Sequence, residues 1–75
     1  MESSDLETLK MKLGERIRLL REEKGFSIRQ FALRAEIEHP QLINIEKGRV
    51  DLKLGTLLKI SVAMDVNISF LFNIK

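Results

Sequence analysis

The stretch FSIRQFALRAEIEHPQLINIEKGR, residues 26–49, has the pattern of two short helices joined by a tight connection. Ser27 and Gln30 have the spacing of a capping box, in which each side chain accepts a hydrogen bond from the other residue's backbone N–H. We therefore expect a helix that begins at Ser27 and stops near Ala35. Ala32 and Ala35 are small enough to let another helix approach closely, which favours a helix-turn-helix.

The second helix of this stretch should begin after Ile37 and end at Gly48. Glu38 is expected to cap it, because a carboxylate suits the free N–H groups and the positive dipole end of a helix. Pro40 then falls in the first turn, where its missing N–H costs little. Ile37 and Leu42 have the spacing of a hydrophobic staple, which supports the same helix start.

Upstream, apolar residues recur at helical spacing in LKMKLGERIRLLREEK, which predicts a helix that begins at Leu9. Gly25 follows as a C-terminal stop. Gly14 lies inside this helix and costs about 1 kcal/mol relative to alanine. Residues 1–8 are expected to form a flexible N-terminal segment or the start of this helix.

Downstream, the spacing predicts a fourth helix from Leu54 to Met64 and a short fifth helix over ISFLFN, capped by Asn67. The residues expected to face inward from these two helices are Leu54, Leu57, Leu58, Ser61 and Met64, then Ile68, Leu71 and Phe72. Residues 9–75 should therefore form one compact all-α domain of five helices.

The composition argues against several classes of protein. The chain has no cysteine and one histidine, which excludes a disulfide framework, a thiolate metal site and a zinc finger. No apolar run approaches the ~20 residues of a membrane helix, and the acidic, polar start MESSDLETLK does not resemble a secretory signal. No nucleophile–base pair suggests an enzyme. We expect a cytoplasmic protein that needs no cofactor, metal ion, small-molecule ligand or membrane.

Positive charge is concentrated in one part of the chain. Residues 10–34 contain eight basic against three acidic side chains, although the formal net charge of the whole chain is only +2. Such a run is either a solvated helix face or a surface that faces phosphate groups. Charge alone does not separate these two interpretations.

Longer segments of the sequence match a known pattern. LGERIRLLREEKGFS, QFALRAEI, the helix ending IEKG and LGTLLKISVAMDVNISFLF together resemble the Cro/C1-type (XRE-family) helix-turn-helix regulators over about residues 13–72. The resemblance implies a lambda-repressor-like fold and a transcriptional regulator that binds double-stranded DNA, as a homodimer. It also implies that the third helix, about residues 39–47, enters the major groove.

The resemblance assigns DNA-contacting roles to residues of this chain. Gln41 and Asn44 are expected to read bases, because their amides can pair with an adenine edge. Ile43 could touch a thymine methyl group or be an ordinary exposed residue. The implied base-reading residues are His39, Pro40, Gln41, Ile43 and Asn44. The implied phosphate-binding residues are Arg29, Arg34, Lys47, Gly48, Arg49 and Lys53, each of which could instead be simply solvated.

The resemblance also implies a partly buried ion pair between Arg21 and Glu46, which would orient the third helix. Six residues depart from the family pattern. Glu38, His39 and Pro40 are unusual at the start of the third helix, where Glu38 adds negative charge. Ile28 replaces a DNA-contacting glutamine, Glu36 occupies a turn position that is usually glycine and would bear modest strain, and Lys53 replaces a capping serine.

The dimer surface and one alternative function stay open. Phe70 and Ile74 fall off the inward stripe of the fifth helix and could form an exposed dimer contact, or Phe70 could pack on the first helix. The alternative is a protein-interaction module, antitoxin-like or adaptor, that retains the fold. A steep loss of affinity with salt would indicate DNA and not a protein partner.

Overall fold

The computed structural model describes residues 3–74, so Met1, Glu2 and Lys75 lie outside the described part of the chain. The described residues form five α-helices and no strand, in the order α1 (Ser3–Glu23), α2 (Ile28–Ala35), α3 (His39–Glu46), α4 (Leu54–Met64) and α5 (Ile68–Leu71). The helix α1 begins six residues before the predicted start at Leu9. No helix in the described region is long and apolar enough to cross a bilayer.

One hydrophobic core connects all five helices. The helix α1 packs against α3 and α5, and α2 packs against α3 and α4. Phe31 lies fully buried in the centre, and Phe26 packs beside it with ring centroids 5.8 Å apart. The other fully buried large apolar side chains are Ile17, Leu42, Ile45, Ile60, Met64 and Leu71. This core places α3 on the outside of the α1–α2 pair, with one face free.

Gly14 is the point of closest approach between α1 and α3. A Cβ atom at Gly14 would lie 2.4 Å from the carbonyl oxygen of Ile45 and 2.8 Å from that of Glu46. No real side chain fits at such distances, so the glycine is required by packing between helices and not by its own backbone angles. Glycine lowers the helix propensity of α1, and the close packing of α1 on α3 that it allows offsets this loss.

Four helices end with the same hydrogen-bond pattern around a residue in the left-handed conformation. Gly25 follows α1 with φ of 83°, as its predicted role as a C-terminal stop requires. Glu36 ends α2 with φ of 57°, Gly48 ends α3 with φ of 71°, and Asp65 ends α4 with φ of 59°. In each case the next residue donates its N–H to a carbonyl five residues back, as in Arg49 to Asn44 at 2.9 Å. Glu36 therefore adopts the strained turn conformation that its position predicts.

Two predictions about the inward faces were wrong. Leu54 and Leu58 of α4 are 77% and 56% exposed, whereas Ile60, which was not assigned to the inward face, is fully buried. Both sides of α4 are apolar, so spacing alone could not select the correct one. Phe72 is 44% exposed because α5 ends at Leu71 and the residue after it no longer follows the helical face.

Candidate nucleic-acid interface

The start of α2 is built by local hydrogen bonds, as predicted. The backbone N–H of Gln30 donates to Ser27 Oγ at 3.1 Å, and the backbone N–H of Ser27 donates to Gln30 Oε1 at 2.9 Å. This capping box leaves Arg29 exposed in the first turn. Ile28, in contrast, is half-buried and packs against the core, so the residue that departs from the family pattern contributes to packing here.

The start of α3 follows the predicted positions but not the predicted cap. Glu38 is the N-cap residue and Pro40 lies in the first turn, yet the Glu38 side chain makes no capping hydrogen bond. Its carboxylate is exposed, so it acts on the helix only through charge. Ile37 is buried beside Leu42, which fits the hydrophobic staple.

One side of α3 is committed to the core and the other faces outward. Leu42, Ile45 and Glu46 are buried. Of the five residues predicted to read bases, Pro40 and Gln41 are exposed, while His39, Ile43 and Asn44 are half-buried. The exposed side of the helix thus presents the Gln41 amide, with Asn44 one turn further along.

A buried ion pair holds the last turn of α3 against α1. Arg21 Nε donates to Glu46 Oε2 at 2.7 Å and Arg21 Nη2 donates to Glu46 Oε1 at 3.1 Å. Arg21 Nη1 also donates to the carbonyl oxygen of Phe26 at 2.8 Å. Both charged residues are less than a tenth exposed. The hydrogen bond to Glu46 raises the pKa of Arg21 above its ordinary value, so the guanidinium stays charged across the physiological range.

The two hydrogen bonds between Arg21 and Glu46 fix the orientation of the two side chains. A guanidinium that binds both oxygens of one carboxylate fixes orientation as well as distance. Because the same guanidinium also binds the connection between α1 and α2, one side chain links three segments of the fold. Arg21 therefore connects the last turn of α3 to α1 and to the α1–α2 connection.

Gly48, one of the predicted phosphate contacts, has a structural role in the fold. Its N–H donates to the carbonyl oxygen of Ile45 at 3.0 Å. The residue is buried, and a Cβ atom there would lie 2.7 Å from the Cα of Met11. The glycine ends α3 and lets this turn pack on α1, so its backbone donor is already used.

Arg34, another predicted phosphate ligand, makes two contacts within the fold. Its Nε donates to the carbonyl oxygen of Ala63 at 2.7 Å, and its guanidinium lies 5.2 Å from the centre of the Phe26 ring. The side chain thus ties α2 to the last turn of α4, where a cation also suits the helix dipole. Nothing in the spacing of the sequence reveals this contact, because the partners are 29 residues apart.

The remaining basic residues that were predicted to bind phosphate lie on the surface around α3. Arg29, Lys47, Arg49 and Lys53 are all exposed. Arg49 Nη1 donates to Asn44 Oδ1 at 3.4 Å. Since a guanidinium can only donate, the atom of Asn44 that faces Arg49 is its oxygen. Sequence reasoning missed this contact, which couples a candidate phosphate ligand to a candidate base reader.

Phe70 combines features of both predicted alternatives. It is 43% exposed, but the Arg16 guanidinium lies 4.5 Å from its ring centre. Arg16 Nη2 also donates to the carbonyl oxygen of Phe70 at 3.2 Å. The ring is therefore partly covered by α1, and Ile74 beyond it is half-buried.

The chain matches a known family over most of its length. A family model described as a helix-turn-helix domain covers residues 14–74. The chain belongs to the helix-turn-helix domain family. Over 58 residues this helix-turn-helix domain is 36% identical to the HTH-type transcriptional regulator DdrOP3 of Deinococcus deserti. That match covers 77% of this chain and 45% of the relative, so the chain spans less than half the relative's length.

Solved structures have the same fold. The restriction-modification controller protein C.AhdI from Aeromonas hydrophila superposes with a TM-score of 0.82 at 30% identity, covering 92% of this chain and 98% of that chain. An HTH_3 family transcriptional regulator from Vibrio cholerae superposes with a TM-score of 0.84 at 24% identity, covering 89% and 38%; this second likeness concerns the fold alone. The predicted Cro/C1-type resemblance and all-α fold are confirmed.

Proposed function

We propose that this helix-turn-helix domain regulates transcription by sequence-specific binding to double-stranded DNA, in the cytoplasm and as a homodimer, with α3 in the major groove. The observation that carries the proposal is the anchoring of α3. Its inner side is fixed by the Arg21–Glu46 pair and by the contact at Gly14, while its outer side presents amide groups to solvent. A rigid helix with polar donors and acceptors outward suits recognition of base edges.

Base recognition is assigned to the outer side of α3. Gln41 and Asn44 would form hydrogen bonds to base edges, and Ile43 would contact a thymine methyl group. Pro40 and His39 lie at the end of the helix that enters the groove first and would restrict which bases fit. Because Arg49 engages the oxygen of Asn44, the Asn44 amide nitrogen is left to donate to a base acceptor.

Phosphate contacts are assigned to the exposed lysine and arginine side chains that surround α3. Arg29, Lys47, Arg49 and Lys53 keep this role, because none is committed to an ion pair within the described part of the chain. We leave Arg34 and Gly48 out of this proposal, because each already forms a hydrogen bond within the fold, to Ala63 and to Ile45. The relatives named as transcriptional regulators and as a controller protein support the assignment of the whole domain.

A second candidate is a protein-interaction module, and one surface feature favours it. Leu33 of α2 is 82% exposed, and Glu36 and Glu38 are exposed beside it on the groove between α2 and α3. An apolar residue flanked by acids is unusual on a face that meets phosphates. In the DNA-binding proposal these acids lower non-specific affinity and so sharpen selectivity.

Selection of bound duplexes from a random pool, followed by salt titration, tests the proposal. We expect one motif to be enriched, and its affinity to fall steeply with salt concentration, since each neutralised phosphate contributes about −0.9 to the slope of log affinity against log salt. Absence of enrichment, with a salt-independent protein partner instead, would support the interaction module.

Two variants separate base reading from phosphate binding on the selected duplex. Asn44→Ala should relax the preference at one position of the motif, where the lost discrimination amounts to about 1–3 kcal/mol. Lys47→Ala is the matched control on the same helix end and should weaken binding to all duplexes alike. Equal effects of both variants on every sequence would refute the assignment of Asn44.

A further inference from the structure

The helix α4 is apolar on two opposite sides. Its inner side supplies Leu57, Ile60 and Met64 to the core, yet its outer side carries Leu54, Leu58 and Val62, which are 77%, 56% and 68% exposed. Its single charged residue is Lys59. A helix that is apolar all round is normally buried all round, and within the described residues nothing covers the outer side.

Gly55 lies on this outer side, and packing within the domain does not require a glycine there. A Cβ atom added there would meet nothing within 4 Å, and its backbone is not in the left-handed region. Gly14, in contrast, is required by a neighbouring backbone. Glycine in a helix costs up to about 1 kcal/mol relative to alanine. A small residue on an exposed apolar face allows another helix to approach closely.

We propose that the outer side of α4, formed by Leu54, Gly55, Leu58 and Val62 and called here the α4 stripe, binds the same stripe of a second copy of this chain. The inference rests on the proposed function, for which it supplies the dimer contact. In a two-fold contact the same patch meets itself. Leu54 and Val62 lie four residues on either side of Leu58, so antiparallel helices crossing at Leu58 place Leu54 against the partner's Val62.

The charges beside the stripe complement each other under the same symmetry. Lys59 and Glu36 line the groove that runs along Leu58 and Val62. Neither forms an ion pair within the described part of the chain, and the third charged residue, Arg34, is bound to Ala63. Each copy therefore brings one unpaired cation and one unpaired carboxylate to the edge of the proposed contact, where pairs between the two copies can form.

The alternative dimer surface at Phe70 and Ile74 is less available. Its aromatic ring is covered on one side by Arg16, so a partner would have to desolvate or displace a guanidinium. The α4 stripe carries no such charge. Its ends, Leu54 and Val62, are only about 12 Å apart, and a patch of four residues buries less than the ~800 Å² per partner of a stable interface. The free dimer is therefore weak, and it is strengthened when both copies occupy one DNA site.

Engineered disulfides test the contact, because the natural chain has no cysteine. Leu58→Cys lies on the proposed two-fold axis, and under mild oxidation it should form covalent dimers about tenfold faster than a control, since disulfide formation requires Cα atoms within about 7 Å. The matched control is Leu19→Cys on α1, an exposed leucine outside the stripe. A mixture of Leu54→Cys and Val62→Cys should form mixed dimers faster than either variant alone.

Sedimentation of the natural chain completes the test. We expect weak, concentration-dependent dimers that Leu58→Glu abolishes and Leu19→Glu does not. Cross-linking of Leu58→Cys no faster than that of Leu19→Cys, or fastest cross-linking for Phe70→Cys, would overturn the inference. Cross-linking through Leu58 with no duplex enriched would leave the self-contact standing and refute DNA recognition, so the two proposals fail separately.

Discussion

The Arg21–Glu46 pair joins charge to geometry within a single contact. Its two hydrogen bonds are buried, so water cannot replace a lost partner. Glu46→Ala would leave the guanidinium uncompensated, and we expect the free energy of unfolding to fall by about 3–5 kcal/mol. Urea denaturation followed by circular dichroism measures this change.

The control for that variant is Arg18→Ala, which removes the exposed i,i+4 pair with Glu22 and leaves the contacts of Arg21 in place. An exposed i,i+4 pair contributes about 0.3–0.5 kcal/mol, so the midpoint should hardly move. Similar losses from both variants would show that the burial of the Glu46 carboxylate has no energetic weight.

Glycines in this domain give a second test at the residue scale. Alanine favours a helix over glycine by up to about 1 kcal/mol, so propensity alone predicts that Gly14→Ala stabilises α1. A Cβ atom at this position would lie 2.4 Å from the Ile45 carbonyl oxygen, which predicts the opposite, a loss of about 1–3 kcal/mol from overpacking. Thermal melting of the variant decides between these effects.

Gly55→Ala is the matched control, because a Cβ atom there meets open space. Melted at low concentration, where the chain is monomeric, this variant should gain up to about 1 kcal/mol. A gain at both positions would mean that α1 and α3 can separate without loss.

Helix starts differ in how they are stabilised. The α2 cap uses two side-chain hydrogen bonds, while the N-cap residue of α5, Asn67, makes no side-chain capping bond. We expect Ser27→Ala to lower the free energy of unfolding by about 1 kcal/mol, and Asn67→Ala to lower it clearly less. Chemical denaturation of both variants compares them directly, and equal losses would refute a specific contribution of the capping box.

The helix ends show where local signals suffice and where they do not. Gly48 and Glu36 occupy equivalent left-handed positions after α3 and α2, so the position of each ending follows from neighbouring residues. The strain at Glu36, about 1–2 kcal/mol for a residue with a side chain, is tolerated because Ile37 is then buried in the core. The ends of α2 and α3 were therefore predictable, while the reason for the strain at Glu36 is tertiary.

The whole molecule has basic residues with two different functions. Arg34 and Arg21 are used within the fold, whereas Arg29 is free at the surface. On the selected duplex, Arg29→Ala should reduce the salt slope by about 0.9 with little change in melting temperature. Arg34→Ala should lower the melting temperature and leave the salt slope unchanged. If both variants changed the salt slope equally, Arg34 would bind phosphate in spite of its hydrogen bond to Ala63.

The amino-acid sequence by itself determined the element order, the α2 capping box, the position of the α3 start and, through the family resemblance, the Arg21–Glu46 pair. These features depend on residues close together in the chain or on a pattern that spans the whole domain. The outward positions of Gln41 and Asn44 follow from the same periodicity, and their pairing with bases stays a prediction.

Only the tertiary structure decided the functions of Arg34, Gly48 and Gly14, and which side of α4 faces the core. Each depends on a partner distant in sequence: the Ala63 carbonyl for Arg34, α1 for Gly48, and α3 for Gly14. A helix with two apolar sides carries no local signal for which side is buried, because burial is set by the helices that pack against it. That ambiguity hid the α4 stripe, now the proposed contact with a second copy.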